Sequence, residues 1–151
     1  MSKKPNNAWT KKEIYGYLNA AKTPIRLACI DKNNQPTICS LWFIFENGIL
    51  WCASHKNSHI IKLLKSNKKI GFEISTNNYP YKGVRGKGSV ELITIDADTV
   101  LNKLVNKYLD GTNQTLSTWL LSRSSDEYAI KIQPQSLSSW DFSNRMTQQQ
   151  A

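Results

Sequence analysis

The chain has 151 residues, 40% hydrophobic and 21% charged, with 20 Lys+Arg against 11 Asp+Glu and a net charge of +9. That length carries one domain with its own core, the composition excludes a disordered chain, and no run nears the roughly 20 apolar residues of a membrane-spanning helix. The basic excess favours anionic partners: nucleic acid, phosphate-bearing cofactors or anionic surfaces.

A single domain over residues 1–151 is expected, with a core from about residue 10 to about residue 142 and polar tails at Met1–Asn7 and Met146–Ala151. Met1-Ser2-Lys3-Lys4-Pro5 has the charge of a signal-peptide start but no apolar stretch behind it, so a cytoplasmic location is expected. Thr10-Lys11-Lys12-Glu13 has capping-box form, and Ile14, Tyr17, Leu18 and Ala21 follow at helical spacing up to Pro24. Strands are expected at Ile25–Asp31, at Pro36–Glu46 after a polar turn, and at Ile49–Ala53 after the hairpin signal Asn47-Gly48. The second and third of these strands lack clean alternation, so both of their faces should be covered, which a closed barrel plus a dimer partner would do.

Ser58–Ser66 reads as a short helix with Ile60, Ile61, Leu63 and Leu64 on its apolar side. Lys69–Ser75 alternates, with Ile70, Phe72 and Ile74 inward. Tyr81–Ile93 is a long strand with Val84, Val90 and Leu92 on one face and Arg85, Lys87, Ser89 and Glu91 on the other. Asp96 is the expected cap of a helix carrying Leu101, Leu104, Val105 and Tyr108, closed near Gly111. A turn or two at Leu116–Leu121 and a last strand at Glu127–Ile132 complete the order. Hairpins with interspersed helices indicate an α+β protein, and closing the sheet into a barrel hides its edges.

Four groups of residues can carry chemistry. Ala53-Ser54-His55-Lys56-Asn57-Ser58 joins a strand to a helix start. Two hydroxyls, free helical N–H groups, Lys56 and Lys62 together suit a phosphate monoester, although a plain capped helix with solvated lysines has the same pattern. Tyr81-Lys82-Gly83-Val84-Arg85-Gly86-Lys87-Gly88 places three glycines in a strand. They fit either a close ligand or a bent barrel strand. His55 and His59 are spaced i, i+4, but no third ligand is near in sequence, and no metal is expected. Trp42, Trp51, Trp119 and Trp140 read as core, with Trp42 and Trp140 able to border a planar ligand. Cys29, Cys39 and Cys52 form no C-x-x-C and read as reduced core residues.

In their order, several stretches resemble the pyridoxamine 5'-phosphate oxidase-like family, the FMN-binding antiparallel split β-barrels with flanking helices. They are Thr23–Ala28, Pro36–Phe43, Asn47–Ser54, Lys56–Ser58, Asn67–Phe72 and Val84–Leu92. The resemblance implies a homodimer with FMN at the subunit interface, and oxidoreductase chemistry on a small molecule. The flavin ring would lie along Thr37, Ile38, Cys39, Ser40 and Trp42. Its phosphate would meet Ser54, Lys56, Ser58 and Lys62, and Ala53 would also belong to the cofactor site. Tyr81, Arg85 and Trp140 would approach from the other subunit. Other branches of the family use a deazaflavin or haem. The R-x-V-L-L-K-type strand of the true pyridoxamine phosphate oxidases has no counterpart in Pro36–Trp42, and their R-x-H element is missing near Trp140; both points argue against vitamin B6 oxidation. The alternatives are a non-catalytic flavin-binding module and a basic nucleic-acid-binding protein.

Overall fold

A computed structural model describes residues 8–147; the tail residues expected at 1–7 and 148–151 lie outside the described residues. The elements are α1 (Lys11–Ala20), β1 (Ile25–Ile30), β2 (Pro36–Leu41), β3 (Ile44–Glu46), β4 (Ile49–His55), α2 (His59–Ser66), β5 (Lys69–Ser75), β6 (Lys82–Ile93), α3 (Ala97–Leu109), α4 (Gln114–Ser122), β7 (Glu127–Asp141) and α5 (Ser143–Thr147). Met146, read from sequence as tail, therefore belongs to a helix.

The capping box at Thr10 is present: Glu13 N–H donates to Thr10 Oγ1 at 3.2 Å and Thr10 N–H donates to Glu13 Oε1 at 3.0 Å. Ile14 and Leu18 of α1 are buried, as their spacing requires. Asp96 stands at the start of α3 but its side chain makes no capping bond. It adopts a left-handed backbone, φ 62°, and only its carbonyl accepts from the first turn.

All seven strands form one antiparallel sheet in the order β2-β1-β5-β6-β7-β4-β3. In a flat sheet of seven strands the two edges would lie about 29 Å apart. Here the edge strands β2 and β3 are joined by Trp42 and Phe43 alone, a reach of at most about 11 Å between Leu41 and Ile44. The sheet must therefore curl until its edges nearly meet. The result is a barrel split between β2 and β3, and the α+β expectation holds.

This corrects the single strand expected over Pro36–Glu46. The chain leaves the β1 ladder after Leu41, crosses to the other edge and pairs with β4 from Ile44. The break exposes backbone groups, and α3 satisfies them. Phe43 N–H donates to Tyr108 Oη at 3.3 Å, and Lys107 Nζ donates to Phe43 O at 2.7 Å. Within the chain, β2 exposes one face, and Ile38 is 72% exposed.

The last strand is longer than expected. It runs to Asp141 and pairs with β6 along nearly its whole length, through a register shift opposite Lys87 and Gly88. Pro134 sits at that irregularity, where a missing N–H costs the ladder least.

The barrel interior holds Leu27, Phe72, Ile74, Val84, Ile130 and Ile132, and Ile61 and Leu64 of α2 join the same cluster. Outside the barrel, α3 lies against β3, β4 and β7 and buries Leu101, Leu104 and Val105. The tryptophans are not core residues: each is only partly buried or, for Trp119, 53% exposed.

Candidate functional site

The β4–α2 connection is the first part of the site. Ser58 caps α2, accepting from Ile61 N–H at 3.4 Å, and Ser54 Oγ donates to Ser58 Oγ at 2.7 Å. The amides of His59 and Ile60 precede the first helical carbonyl bond, from Lys62 N–H to Ser58 O, and so have no carbonyl partner within the helix. Lys56 lies in the turn, and Lys62 is exposed about one turn into α2. Ala53 and Ser54 are placed by the β4–β7 ladder, opposite Ala129 and Tyr128.

Sequence reading missed the acidic partners of this turn. Lys56 N–H donates to Asp126 O at 2.8 Å, and Lys56 Nζ is 3.0 Å from Asp126 Oδ1. The Lys56 ammonium holds the Asp126 carboxyl below its usual range. His55 Nε2 is 4.0 Å from the same carboxylate, while His55 Nδ1 accepts from Asn57 N–H at 3.1 Å. Among the described residues no group of His, Cys, Asp and Glu is arranged to hold a metal.

Glu127 follows directly, opposite His55 in the ladder. It is 8% exposed, and its Oε2 has no hydrogen-bond partner among the described residues. Burial pushes its carboxyl above the usual range, offset in part by Arg123. A local signal for Glu127 existed: in Glu127-Tyr128-Ala129 the period of two puts it on the face of the buried Ala129. Asp126 had none, because only strand pairing brings it to Lys56.

The sign of the Glu127 effect follows from linkage. An acid whose folded pKa is raised binds more protons in the folded state, so stability falls as pH rises above the unfolded value. The cost is absent below the ordinary 4.5 and complete above the folded value. Glu127→Gln removes it. The variant is expected to match the native chain at low pH and to have the higher melting temperature at pH 8, measured by thermal melts across that range. A gap that does not widen with pH would contradict this placement.

The second part is β2, an edge strand. Thr37, Cys39 and Leu41 are half-buried, Ile38 and Ser40 are exposed, and among the described residues β1 is the strand's one ladder partner. The other side of β2 therefore leaves main-chain N–H and C=O groups open to a ligand. Trp42 lies just beyond, stacked on Tyr108 with centroids 5.0 Å apart and planes 4° apart. Lys107 is half-buried beside them, and burial pushes its ammonium down to about 8.

The third part gathers Tyr81, Arg85 and Trp140 where β6 meets β7. Gly83 pairs with Trp140 and Arg85 with Ser138. The Arg85 guanidinium lies over the Trp140 ring at 4.3 Å, and its Nη2 is 3.7 Å from Glu73 Oε1. Tyr81 is exposed, and its N–H donates to Met146 Sδ at 3.2 Å. Arg26, Glu73 and Arg85 form a row across β1, β5 and β6, where each residue pairs with the next.

The glycines of β6 are explained without a ligand. A Cβ on Gly83 would come within 2.6 Å of Ile74 O, and one on Gly86 within 2.6 Å of Phe72 Cζ. The neighbouring strands themselves fill that space, as a tightly bent barrel strand requires.

The first and third parts are far apart in one chain. Tyr128 and Ser138, the β7 partners of Ser54 and Arg85, are ten residues apart. That is about 33 Å in a straight strand, shortened by the bend but still beyond one small ligand.

No protein-family model and no curated protein matches the sequence. Solved structures do. A conserved hypothetical protein from Mycobacterium tuberculosis superimposes with a TM-score of 0.76 at 17% identity, over 93% of this chain and 90% of its own. An F420 reductase gives 0.69 at 20% identity, over 82% and 95%. A candidate pyridoxamine 5'-phosphate oxidase from Listeria innocua gives 0.65 at 13% identity, over 85% and 95%. An FAD-binding protein of Mesorhizobium loti and a haem storage protein of Vibrio cholerae superimpose in the same way. The chain therefore has the split-barrel fold of the pyridoxamine 5'-phosphate oxidase-like proteins.

Proposed function

We propose that this protein is an FMN-dependent oxidoreductase that acts on a small molecule as a homodimer. The observation that carries this reading is the β4–α2 turn. Two serine hydroxyls, helix-start amides, Lys56 and Lys62 make a donor set of the right chemistry for a phosphate monoester. Asp126 already neutralises part of Lys56, so a bound phosphate would share that lysine or draw it away. The open edge of β2 supplies main-chain groups for the polar rim of a flavin ring. When bound, the flavin supplies the hydride or electron transfer, and the protein holds and tunes it.

Within this reading Ser54, Ser58, Lys56 and Lys62 hold the phosphate, with Ala53 at the base of the turn. Thr37, Ile38, Cys39, Ser40 and Trp42 border the ring. Tyr81, Arg85 and Trp140 reach the ring from the second subunit. Their distance from Ser54 within one chain supports that assignment. Names among the similar folds, an F420 reductase and an FAD-binding protein, support a flavin-like ligand. The first of these keeps a deazaflavin as the alternative ligand. The name of the haem storage protein favours a second reading, a binding module without turnover.

Titration with FMN tests the ligand. The expected result is saturable change in the flavin bands with quenched fluorescence, and a sedimenting dimer. No change with FMN, followed by saturation with F420 or haem, would replace the cofactor. Reduction of the bound flavin by NAD(P)H, followed by reoxidation, separates an enzyme from a module. Lys56→Ala with Lys62→Ala is expected to weaken FMN binding at least about tenfold, through loss of two charge-assisted contacts. Unchanged affinity in that double variant would remove the phosphate from this turn.

A further inference from the structure

The chain's three cysteines lie on three strands, β1, β2 and β4. Cys39 pairs directly with Leu27, and Cys29 with Thr37. Directly opposed residues share a face, as do residues two apart on one strand. Cys29 and Cys39 are thus diagonal neighbours on the core side of the β1–β2 ladder. That register sets the two thiols side by side on one face. Cys29 is 1% exposed, whereas Cys39 is only partly buried, so a small reagent meets Cys39 first.

We propose that Cys39 and Cys29 form a reversible peroxide-reactive pair, with Cys39 as the attacking thiolate and Cys29 as the resolving thiol. Cys39 sulfur attacks one oxygen of hydrogen peroxide. The O–O bond breaks, hydroxide leaves and takes up the thiol proton as water, and Cys39 becomes a sulfenic acid. Cys29 sulfur then attacks Cys39 sulfur. The S–S bond forms, the S–O bond breaks, and the departing hydroxide takes up the Cys29 proton as a second water. Two thiols are oxidised and one peroxide is reduced to two waters.

Three features support this division of roles. Beside Cys29, the Cys39 thiol is held below its usual range, which favours the thiolate there, while the neighbouring Cys39 and burial push that of Cys29 up. The bond can close because β2 is an edge strand, held by a ladder on one side alone. Diagonal neighbours in a regular ladder have Cα atoms about 7–8 Å apart, just beyond the roughly 7 Å that a disulfide spans, so β2 must shift slightly. A bond closed in this way is readily reduced. Cys52 is the competitor. It is fully buried on β4, between β3 and β7, and burial raises its thiol well above the usual range. It can neither move nor attack easily.

The test is intact-mass and peptide analysis of the full chain after brief treatment with a small excess of hydrogen peroxide, with alkylation under denaturing conditions. The expected product has lost two hydrogens, links the Cys29 and Cys39 peptides, and keeps Cys52 alkylated. Dithiothreitol restores three alkylatable thiols. In Cys29→Ser, Cys39 is expected to be trapped by dimedone as the sulfenic acid. Three alkylatable thiols after peroxide, a link through Cys52, or a disulfide between two chains would each overturn the proposal, with the native chain alone sufficient to decide.

Discussion

Replacing Gly86 by alanine is expected to destabilise the protein by about 3 kcal/mol or more, at the upper end of the range for overpacking. Gly86 lies on β6 between Phe72 of β5 and Leu137 of β7. An added methyl would stand 2.6 Å from Phe72 Cζ and would run into the Ser136 carbonyl oxygen. Neither can yield cheaply: Phe72 is buried in the barrel core, and Ser136 belongs to the β7 backbone. Relief requires prising β6 from a neighbouring strand. In a urea melt the midpoint should fall by about 1–3 M, given a typical slope for a small protein. Gly16→Ala is the control. Gly16 is exposed in the middle of α1 with nothing near its missing Cβ, so alanine there should stabilise by about 0.5–1 kcal/mol. Equal effects at the two positions would show that β6 is not bent as described.

The second large effect is expected at the gap between the barrel's edges. Phe43→Ala should cost about 3–5 kcal/mol, the range for truncating a buried phenylalanine. Phe43 is 0% exposed and sits between β2 and β3, where the sheet nearly closes. Its ring also carries the Lys107 ammonium at 3.8 Å from the centroid. The substitution leaves the backbone contacts to Tyr108 and Lys107 in place, because they use the main-chain N–H and C=O. The loss therefore measures the side chain. A cost under about 1 kcal/mol, the level of a lightly buried position, would mean that this ring does not seal the split. Phe43→Leu keeps most of the apolar volume and should lose clearly less.

Both positions bear on the candidate site. Gly86 lets β5, β6 and β7 pack closely enough to align Glu73, Arg85 and Trp140 on one outer face. Phe43 anchors the crossing that follows β2, the strand with the open edge. The Glu127 carboxyl lies at the opposite end of β7, next to the turn that carries Ser54, Lys56 and Ser58. The residues proposed to meet the ligand thus stand mostly on strands and at a helix start rather than on long loops.

Much of the architecture was legible in the residues. The capping box at Thr10, the Asn47-Gly48 hairpin, the apolar side of α2 and the alternation of β5 and β6 are local patterns, and the structure contains each of them. The serines and lysines of the β4–α2 turn were found for the same reason, since a helix start is announced by its own sequence. What sequence could not supply depends on partners distant in the chain. An apolar run from Pro36 to Glu46 does not show that it breaks at Trp42, because the break is set by barrel closure and by Lys107 and Tyr108 of α3. Three glycines in β6 do not say whether a ligand or a strand fills their space; Phe72, Ile74 and Ser136 do. Asp126 meets Lys56, Arg85 meets Trp140 and Cys29 meets Cys39 only through strand register. Local periodicity determines which elements form and which face they bury. Register and curvature, which are properties of the closed sheet, decide which side chains meet.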